Sequence, residues 1–558
     1  MNKQMRKQAQ FWLKLLLAAV FGLIIALAGS SPDSATTTNS TQAGKSFLSF
    51  QEKRVWAHAI FQGLPDCNLP NGPYGALYPL ELTPSCSSPS RGISIITRLQ
   101  AAGIDGLTID IFGGQDVSWM NYWLQPANGT GIVVAPNLDG IGSEDEAFNL
   151  VQGYAALASS NSSAARENGK LVIFTTSTPN LSPASWQNVR NRLSNAGIDT
   201  LFLASINGSL SQYNYFPSSN ISEYFPAFDA GFVFDDTYMK YWNDIVALFQ
   251  SYNYPFAGGL MPGYDRETPN GGEVDPQATG LYRQGWQANI DAGVQWTHIA
   301  TWSDLVEHTG IRPTSDWNST LSDITAWYAA VLKGQPSPIS QPQLYITTPQ
   351  QVHINQTAPA EALVLNPTAN TLTVQIQLFD GNKQAVSQVV SATVGPGQSA
   401  AATIPVNPTS LPAKRFLRAH ASMLNGQQVV QQVVGAPILI YNAGVKTNLR
   451  SLYYSIPAQH ALPGRVHLSL SGNPVTGTVA ANITPPSGIN VRFAEVLQNT
   501  WEVKNLFNQA PYTTQVPLTS GTPTVENVIT DDPSGFYMAR VIDEQERVGY
   551  SDPIYYKE

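Results

Sequence analysis

The chain has 558 residues, of which only 12% are charged, and a formal net charge of −9. This length predicts two to four domains. Binding to a nucleic-acid backbone requires clustered Lys and Arg, and the sequence contains no long basic run, so we expect no nucleic-acid partner.

The N-terminal segment has the pattern of a signal peptide. Basic residues precede an apolar run over residues 15–28, and small residues stand at its end. We therefore predict a signal peptide over residues 1–30, with an uncleaved membrane anchor as the alternative. The Ser- and Thr-rich residues 31–50 are predicted to be a disordered leader. These features predict a secreted or cell-surface protein that meets a membrane only through this segment, if it is not cleaved.

Two cysteines, Cys67 and Cys86, lie close together in the sequence. In an exported chain such a pair is expected to form a disulfide rather than to stay free. The bond would close a loop of about 20 residues and stabilise the fold by roughly 3 kcal/mol. Two cysteines without neighbouring histidines do not indicate a metal site.

Eight short apolar runs alternate with helical patterns from residue 54 onward. Near-continuous apolar character is typical of parallel strands that are covered on both faces. The runs occupy residues 54–61, 106–112, 131–137, 170–177, 199–206, 231–237, 255–263 and 296–302. Eight strand–helix units in about 280 residues predict an α/β fold, a (β/α)8 TIM barrel, over residues 51–333. The alternative, an open doubly wound sheet, would need a Gly-rich phosphate-binding turn after an early strand, and the sequence has none.

The composition changes after the barrel. Residues 334–342, "GQPSPISQP", form a Pro-rich linker. Beyond it apolar and polar residues alternate, as in "TLTVQIQLFDGN", where the final residues predict a turn. This pattern predicts one or two C-terminal β-sandwiches, divided near residue 447 into segments 343–446 and 447–558.

Polar side chains stand at the predicted C-terminal ends of the barrel strands, where the active site of such a barrel forms. They are acids, amides, hydroxyls and aromatics: His58, Gln62, Asp110, Asn137, Asp139, Thr176, Thr178, Ser205, Asn207, Asp235, Asp236, Tyr264, Asp265, Trp302, Asp304 and Glu307. This set suits a sugar, whose hydroxyls need many hydrogen-bond partners and whose faces stack on aromatic rings. The set contains no Lys for a Schiff base and no cluster of His for a metal, so we expect neither a cofactor nor a metal.

Asp304 and Glu307 are the predicted catalytic residues. Both directly follow the eighth strand. Glycosidic hydrolysis needs one carboxylic acid to protonate the leaving oxygen and a second carboxylate to activate water or to attack the sugar. Their spacing decides neither which residue is the acid nor whether the reaction inverts or retains configuration. The alternative is that one of them caps the next helix or pairs with Arg312.

The remaining candidates are predicted to bind substrate. Asp110 lies inside an apolar strand, so it must have a partner, and it either supports the floor of the site or binds a backbone amide. His58 either contacts a sugar hydroxyl or is a satisfied core histidine. Asp236 is preferred to Asp235 because it lies nearer the strand end. The full predicted substrate-binding set is His58, Asp110, Asp236, Trp302 and Tyr264.

Three motifs resemble those of glycoside hydrolase family 71, the α-1,3-glucanases or mutanases. "VWAHAIF" on the first strand resembles an "AHFM"-like opening, and "AAGIDGLTIDIFG" is similar to the family's second strand. "IATWSDLVEHTGIRP" is similar to the family's "TWNDYGES-x-YI-x-P" motif on the eighth strand. The family 99 endo-α-mannosidases and mannanases carry a related arrangement. The resemblance covers residues 52–333 and leaves the sandwiches out.

The resemblance implies roles for three residues. It implies that Asp304 and Glu307 are the acid/base pair of an inverting hydrolase, and that His58 matches the motif histidine. Asp110 stands where the family has Asn, which adds a possible charge.

Other departures lie beside the catalytic pair. Ser303 replaces Asn, and Leu305 and Val306 replace Tyr and Gly. Because these positions line the implied site, they leave the glucan specificity open more than the reaction type.

These observations together predict an exported, endo-acting glycoside hydrolase that cleaves α-glycosidic bonds in a polysaccharide. The resemblance implies α-1,3-glucan as the substrate. One alternative is a non-catalytic carbohydrate-binding cell-surface protein on a hydrolase scaffold, and another is an α-mannan-active or transglycosylating relative. The sandwiches either bind polysaccharide or brace the barrel.

Overall fold

The computed structural model describes residues 50–60, 89–205, 222–234, 242–265, 273–305, 307–353, 356–408, 416–441, 452–473, 478–499, 514–516, 524–529 and 536–555. Within these ranges no helix is long and apolar enough to span a membrane. The N-terminal segment and both cysteines lie outside them, so the signal peptide and the Cys67–Cys86 disulfide stay predictions.

Eight parallel strands form a closed barrel. The strands of this region are β1 (Arg54–Ala59), β2 (Gly106–Phe112), β3 (Val133–Asp139), β4 (Arg166–Glu167), β5 (Lys170–Thr175), β6 (Thr200–Ser205), β7 (Ala230–Phe232), β8 (Phe256–Leu260), β9 (Tyr264–Asp265), β10 (Glu273–Val274) and β11 (Trp296–Ile299). The barrel order is β3-β2-β1-β11-β8-β7-β6-β5, and a pairing of β3 with β5 closes the ring. The short β4 extends β5 antiparallel, and β9 and β10 form a separate hairpin. Closure confirms the predicted barrel and excludes the open doubly wound sheet.

Helices surround the barrel. They are α1 (Pro89–Ala101), α2 (Asn121–Ala127), α3 (Glu144–Ala158), α4 (Pro183–Asn195), α5 (Trp242–Ser251), α6 (Gly280–Asp291) and α7 (Thr320–Lys333). The Ser143 side chain caps α3 by accepting a hydrogen bond from the Glu146 amide. Gly334 ends α7 in the left-handed conformation, at a φ of 66°, which glycine adopts without steric cost.

The barrel interior changes from apolar to polar along the strands, because alternate residues of a strand point to the same face. On β1 the inward sequence is Trp56 and then His58, and on β11 it is Trp296 and then His298; all four side chains are fully buried. The rings of Trp56 and Trp296 lie 5.2 Å apart, and Phe174 packs 5.1 Å from Trp56. The polar layer therefore lies on the side of the strands' C-terminal ends.

The first C-terminal region consists of two packed sheets. Its strands are β12 (Gln343–Pro349), β13 (Gln351–His353), β14 (Ala358–Asn366), β15 (Leu372–Asp380), β16 (Val390–Val394), β17 (Gln398–Val406), β18 (Phe416–Asn425), β19 (Gln428–Val434), β20 (Ile438–Tyr441) and β21 (Tyr453–Pro457). One sheet has the order β17-β14-β12-β21, and the six-stranded sheet has the order β13-β20-β18-β15-β16 with β19 also paired to β18. The alternating apolar residues of β15 are buried between the two sheets, as the period of two predicts. β21 lies beyond residue 447 in sequence, yet it pairs with β12.

A second pair of sheets follows. Its strands are β22 (His467–Asn473), β23 (Thr478–Thr484), β24 (Val491–Asn499), β25 (Thr514–Val516), β26 (Thr524–Ile529), β27 (Phe536–Asp543), β28 (Val548–Tyr550) and β29 (Ile554–Tyr555). The orders are β22-β23-β26 and β25-β24-β27-β28, with β29 paired to β27. The barrel is thus followed by antiparallel β domains, as predicted.

Candidate active site

The C-terminal ends of β1, β2, β8 and β11 carry most of the predicted site residues. His58 lies in β1, Asp110 in β2 and Tyr264 just past β8, and Trp302, Asp304 and Glu307 follow β11. Because all the barrel strands are parallel, these ends share one side of the barrel. Asp236 lies outside the described residues, so its predicted role stays untested.

Glu307 offers an accessible carboxylate that is held from a neighbouring strand. Its side chain is half-buried, and the Tyr264 hydroxyl donates a hydrogen bond to Glu307 Oε1 at 3.3 Å. The two residues are 43 positions apart in sequence, so the contact exists only because β8 and β11 are neighbours. This contact fixes the orientation of the Glu307 carboxyl group.

Asp304 shapes the turn that carries Glu307. Its amide donates to Thr301 Oγ1 at 2.8 Å, and its Oδ1 accepts from the Glu307 amide at 2.9 Å. Only 6% of Asp304 is exposed. The two predicted catalytic residues therefore belong to one turn, in which one carboxylate positions the backbone of the other.

Trp302 and His58 lie at the predicted strand ends, but neither side chain is accessible. Both are 0% exposed, and Trp302 packs within the main apolar core of the barrel. A sugar can stack only on an accessible ring face, so the predicted substrate contact of Trp302 is corrected: its ring supports the turn from within the core. His58 lies in the core, which was the alternative prediction for this residue, but within the described part of the chain only its Nδ1 has a hydrogen-bond partner and its Nε2 has none.

A buried hydroxyl joins two imidazoles beneath the mouth of the barrel. Thr108 Oγ1 lies 3.1 Å from His58 Nδ1 and 2.9 Å from His298 Nε2. Burial, and then the nearby His58, hold the pKa of His298 well below its ordinary value. His298 is therefore neutral at physiological pH.

His58 in turn approaches Asp110. His58 Nε2 lies 3.1 Å from Asp110 Oδ1, within ion-pair distance although poorly aligned for a hydrogen bond. Asn137 Nδ2 donates to the same oxygen at 2.7 Å and reaches Thr176 Oγ1 at 3.2 Å. Asp110 is only 5% exposed, so it offers little surface for direct contact with a sugar, and its role in supporting the floor of the site stays a prediction.

Asp139, at the end of β3, is a functional candidate that the sequence did not single out. Its side chain is half-buried. Burial, and then the charge of Asp110, raise its pKa, while hydrogen bonds from the Gly140 amide and Thr176 and the charge of His58 oppose this shift. Its place at a strand end was visible in the sequence, but the neighbouring carboxylate that perturbs it comes from another strand. An accessible carboxyl group that holds its proton more tightly than usual suits proton transfer or a hydrogen bond to a sugar hydroxyl.

The site is made of carboxylates, hydroxyls and amides. Among the residues that the structure describes, no group of three or more His, Cys, Asp or Glu is arranged to hold a metal ion. The accessible groups are Glu307, Tyr264, Asp139 and Thr176, and the buried ones orient them. Chemically, this arrangement can move protons and bind hydroxyls.

The chain matches no protein-family model and no curated protein. Similar solved structures include the GH99 endo-α-mannosidase of Bacteroides thetaiotaomicron, at 16% identity over 51% of this chain and 98% of that chain, with a TM-score of 0.44. A β-glucuronidase of Bacteroides uniformis shares 9% identity over 84% of this chain and 62% of that chain, with a TM-score of 0.38. A mandelate racemase/muconate lactonizing enzyme from a Roseiflexus species shares 10% identity over 47% of this chain and 59% of that chain, with a TM-score of 0.27. Scores of this size assign no function, which therefore rests on the residues of the site.

Proposed function

We propose that the protein is a glycoside hydrolase whose barrel cleaves α-glycosidic bonds within a polysaccharide. The single observation that supports this most is the Glu307 carboxylate, half-exposed past the eighth barrel strand and held by the Tyr264 hydroxyl at 3.3 Å. A positioned, accessible carboxyl group with a second carboxylate three residues away is the minimum that hydrolysis requires. Carboxylate chemistry of this kind needs no cofactor.

In the proposed reaction the Asp304 and Glu307 pair transfers the protons. One carboxylic acid protonates the glycosidic oxygen as the bond to the anomeric carbon breaks, and the other carboxylate takes a proton from the attacking water. Asp139 and Thr176 lie at neighbouring strand ends and would bind sugar hydroxyls. α-1,3-Glucan is the substrate that the family 71 resemblance implies, and the N-terminal pattern supports export to the polysaccharide.

One observation favours a second candidate, a barrel that binds a glycan without cleaving it. The Asp304 side chain is 6% exposed and already accepts the Glu307 amide, so a purely structural role would also explain it. Release of new reducing ends from α-1,3-glucan, α-1,4-glucan and α-mannan, with linkage analysis of the products, separates the two functions. Binding without product at high protein concentration would favour the second.

The catalytic role of Glu307 is tested by the Glu307→Gln variant. The amide keeps the shape of the side chain and its contact with Tyr264 but cannot transfer a proton, so turnover should fall at least ~100-fold. The control is Glu544→Gln, which makes the same change at an exposed position in the terminal β region and should leave turnover unchanged. Undiminished hydrolysis by the Glu307→Gln variant would rule this residue out.

A further inference from the structure

A groove lies between the outer face of the six-stranded sheet and the second β region, far along the chain from the barrel site. We call it the outer groove; its volume is about 590 Å³, and it continues into a hollow of about 230 Å³ that shares several of its lining residues. Its lining combines amide and hydroxyl side chains with aromatic rings and basic residues.

The floor of the outer groove presents hydrogen-bonding groups in a row across three strands. Gln375 on β15 is in register with Ser422 on β18, which is in register with Gln432 on β19. Neighbouring strands lie about 4.8 Å apart, so the row offers amide and hydroxyl groups at a spacing close to the length of one sugar unit. Such groups are the partners that sugar hydroxyls need.

The next row along the sheet adds an aromatic surface. Gln377 is in register with His420, and the rings of Phe379 and His420 lie 4.3 Å apart. Both rings are half-buried, so part of each faces the groove. Rings beside polar groups form the amphipathic surface on which a sugar face can stack.

The groove also collects positive charge in a chain whose net charge is −9. Its two acids are already engaged: Asp552 accepts from Arg418 Nε at 2.9 Å, and Asp380 accepts from the backbone amides of its own turn. Lys383 and Arg465 are exposed, and among the described residues no carboxylate pairs with either. Burial, and then the charges of Arg418 and Arg465, lower the pKa of His420. Burial also lowers the pKa of Arg418; Asp552 opposes that shift and the charge of Arg465 adds to it, so the two guanidinium groups repel each other. An anionic ligand would relieve that repulsion.

We propose that the outer groove binds an acidic glycan, a chain of sugar units that carry carboxylate groups. The amide and hydroxyl row and the Phe379–His420 rings would hold the sugar units, and Arg465 and Lys383 would pair with the carboxylates. This proposal is independent of hydrolysis in the barrel, because none of its residues belongs to the candidate active site.

The test measures binding of a galacturonic-acid hexasaccharide by calorimetry to the full chain carrying Glu307→Gln, in parallel with the same hexasaccharide after reduction of its carboxylates to neutral hydroxymethyl groups. The acidic form should bind about tenfold more tightly, and the difference should shrink as salt screens the exposed charges. Equal affinity for the two forms, or no binding of either, would overturn the proposal.

A charge-removing pair of substitutions locates the binding. Lys383→Gln with Arg465→Gln should weaken the acidic hexasaccharide about tenfold, since each exposed pair contributes modestly, and should leave thermal unfolding unchanged. Lys170→Gln, at an exposed position where β5 begins, removes a charge away from the groove and should leave the affinity as it was. The proposal fails if both proteins lose affinity equally, or if the groove variant loses none.

Discussion

At the scale of single residues, the Asp304 side chain has two roles: it holds the turn that carries Glu307, and it is proposed to transfer a proton. Its Oδ1 accepts from the Glu307 amide at 2.9 Å, and its carboxylate is also the proposed companion of Glu307 in proton transfer. An asparagine keeps the accepting oxygen but loses the charge, whereas an alanine loses both. The two substitutions therefore separate the two roles.

We expect Asp304→Asn to lower turnover about 100-fold, because the amide keeps the oxygen that accepts from the Glu307 amide but cannot transfer a proton. Asp304→Ala should lose the same turnover and also about 1 kcal/mol of stability, as the loss of a capping side chain typically does. Turnover and thermal unfolding of both variants provide the measurement. An Asp304→Asn variant as active as the wild type would mean that Asp304 only holds the turn and takes no part in proton transfer.

A second prediction at the residue scale concerns the pKa of Asp139, which depends on its neighbour Asp110. Since the charge of Asp110 contributes to the raised pKa of Asp139, Asp110→Asn should lower that pKa toward its ordinary value. The amide oxygen at position 110 can still accept from Asn137, so the local fold should persist. A carbon-13 NMR titration of the aspartate carboxyl groups measures the shift. Asp145→Asn, at an exposed position on α3, is the control, and an unmoved Asp139 titration in Asp110→Asn would contradict the coupling.

At the scale of elements, Asp323 links the last barrel helix to the first strand of the C-terminal region. Its Oδ2 accepts from Ser319 on the same helical turn at 2.7 Å and from the Tyr345 hydroxyl of β12 at 3.1 Å. Burial raises its pKa to about 6, although these two hydrogen bonds oppose the shift. The folded protein thus holds the proton of the Asp323 carboxyl group more tightly than the unfolded chain does.

The pH dependence of stability follows from that difference. As pH rises from about 4 to 6, the unfolded chain has lost the Asp323 proton while the folded protein retains it, so the free energy of unfolding should fall across this window and then level off. Asp323→Asn should remove this part of the slope, which urea unfolding at several pH values measures. Asp291→Asn, at an exposed position at the end of α6, should keep the wild-type slope. Identical slopes for Asp323→Asn and the wild type would refute the assignment.

The elements differ in how well the sequence predicts them. The barrel strands were predicted because strands covered on both faces must be apolar, and that property is local. Helix α2 was not predicted, since it spans only seven residues and contains Pro126, so it lacks a readable helical period. β21 lies beyond the boundary predicted near residue 447, yet it pairs with β12. The residues of a strand do not reveal which other strand it pairs with, so the sequence could not predict this pairing.

In the candidate site, too, the sequence predicts what depends on neighbouring residues of the chain and misses what depends on contacts between distant ones. Asp304 and Glu307 were identified because they follow a strand together, and the structure places them in one turn. The contacts of Thr108 with His58 and His298 span 50 and 190 residues and depend on closure of the barrel, so no local pattern reveals them. The burial of Trp302 also depends on a distant contact, because the Trp302 amide donates a hydrogen bond to the His58 carbonyl of β1 at 2.6 Å.

At the scale of the whole molecule, the C-terminal β regions hold the loop that carries the proposed catalytic pair. The loop after β11 continues from Glu307 to the segment 314–318, which contacts strand β21 and the β27–β28 hairpin. The Ser455 amide donates to the Asp316 carbonyl at 2.7 Å, and Asn318 Nδ2 donates to the Glu546 carbonyl at 2.8 Å. The Arg540 guanidinium of β27 donates to the Asp316 carboxylate in a fully buried ion pair. These contacts favour the bracing role of the sandwiches for the part of the barrel that matters most to function.

This junction predicts that Arg540→Met weakens both stability and catalysis. The substitution removes the cation that pairs with the Asp316 carboxylate and leaves that carboxylate buried, which should lower the free energy of unfolding by about 3–5 kcal/mol. The loop is then held less firmly, so turnover should fall as well. Arg192→Met is the control, because the side chains of Arg192 and its partner Asp145 are 37% and 80% exposed, so the loss of this pair should cost less than about 1 kcal/mol. Urea unfolding and turnover of the two variants decide the matter. Equal losses of stability, or an Arg540→Met protein with full turnover, would mean that the sandwiches do not hold the catalytic loop.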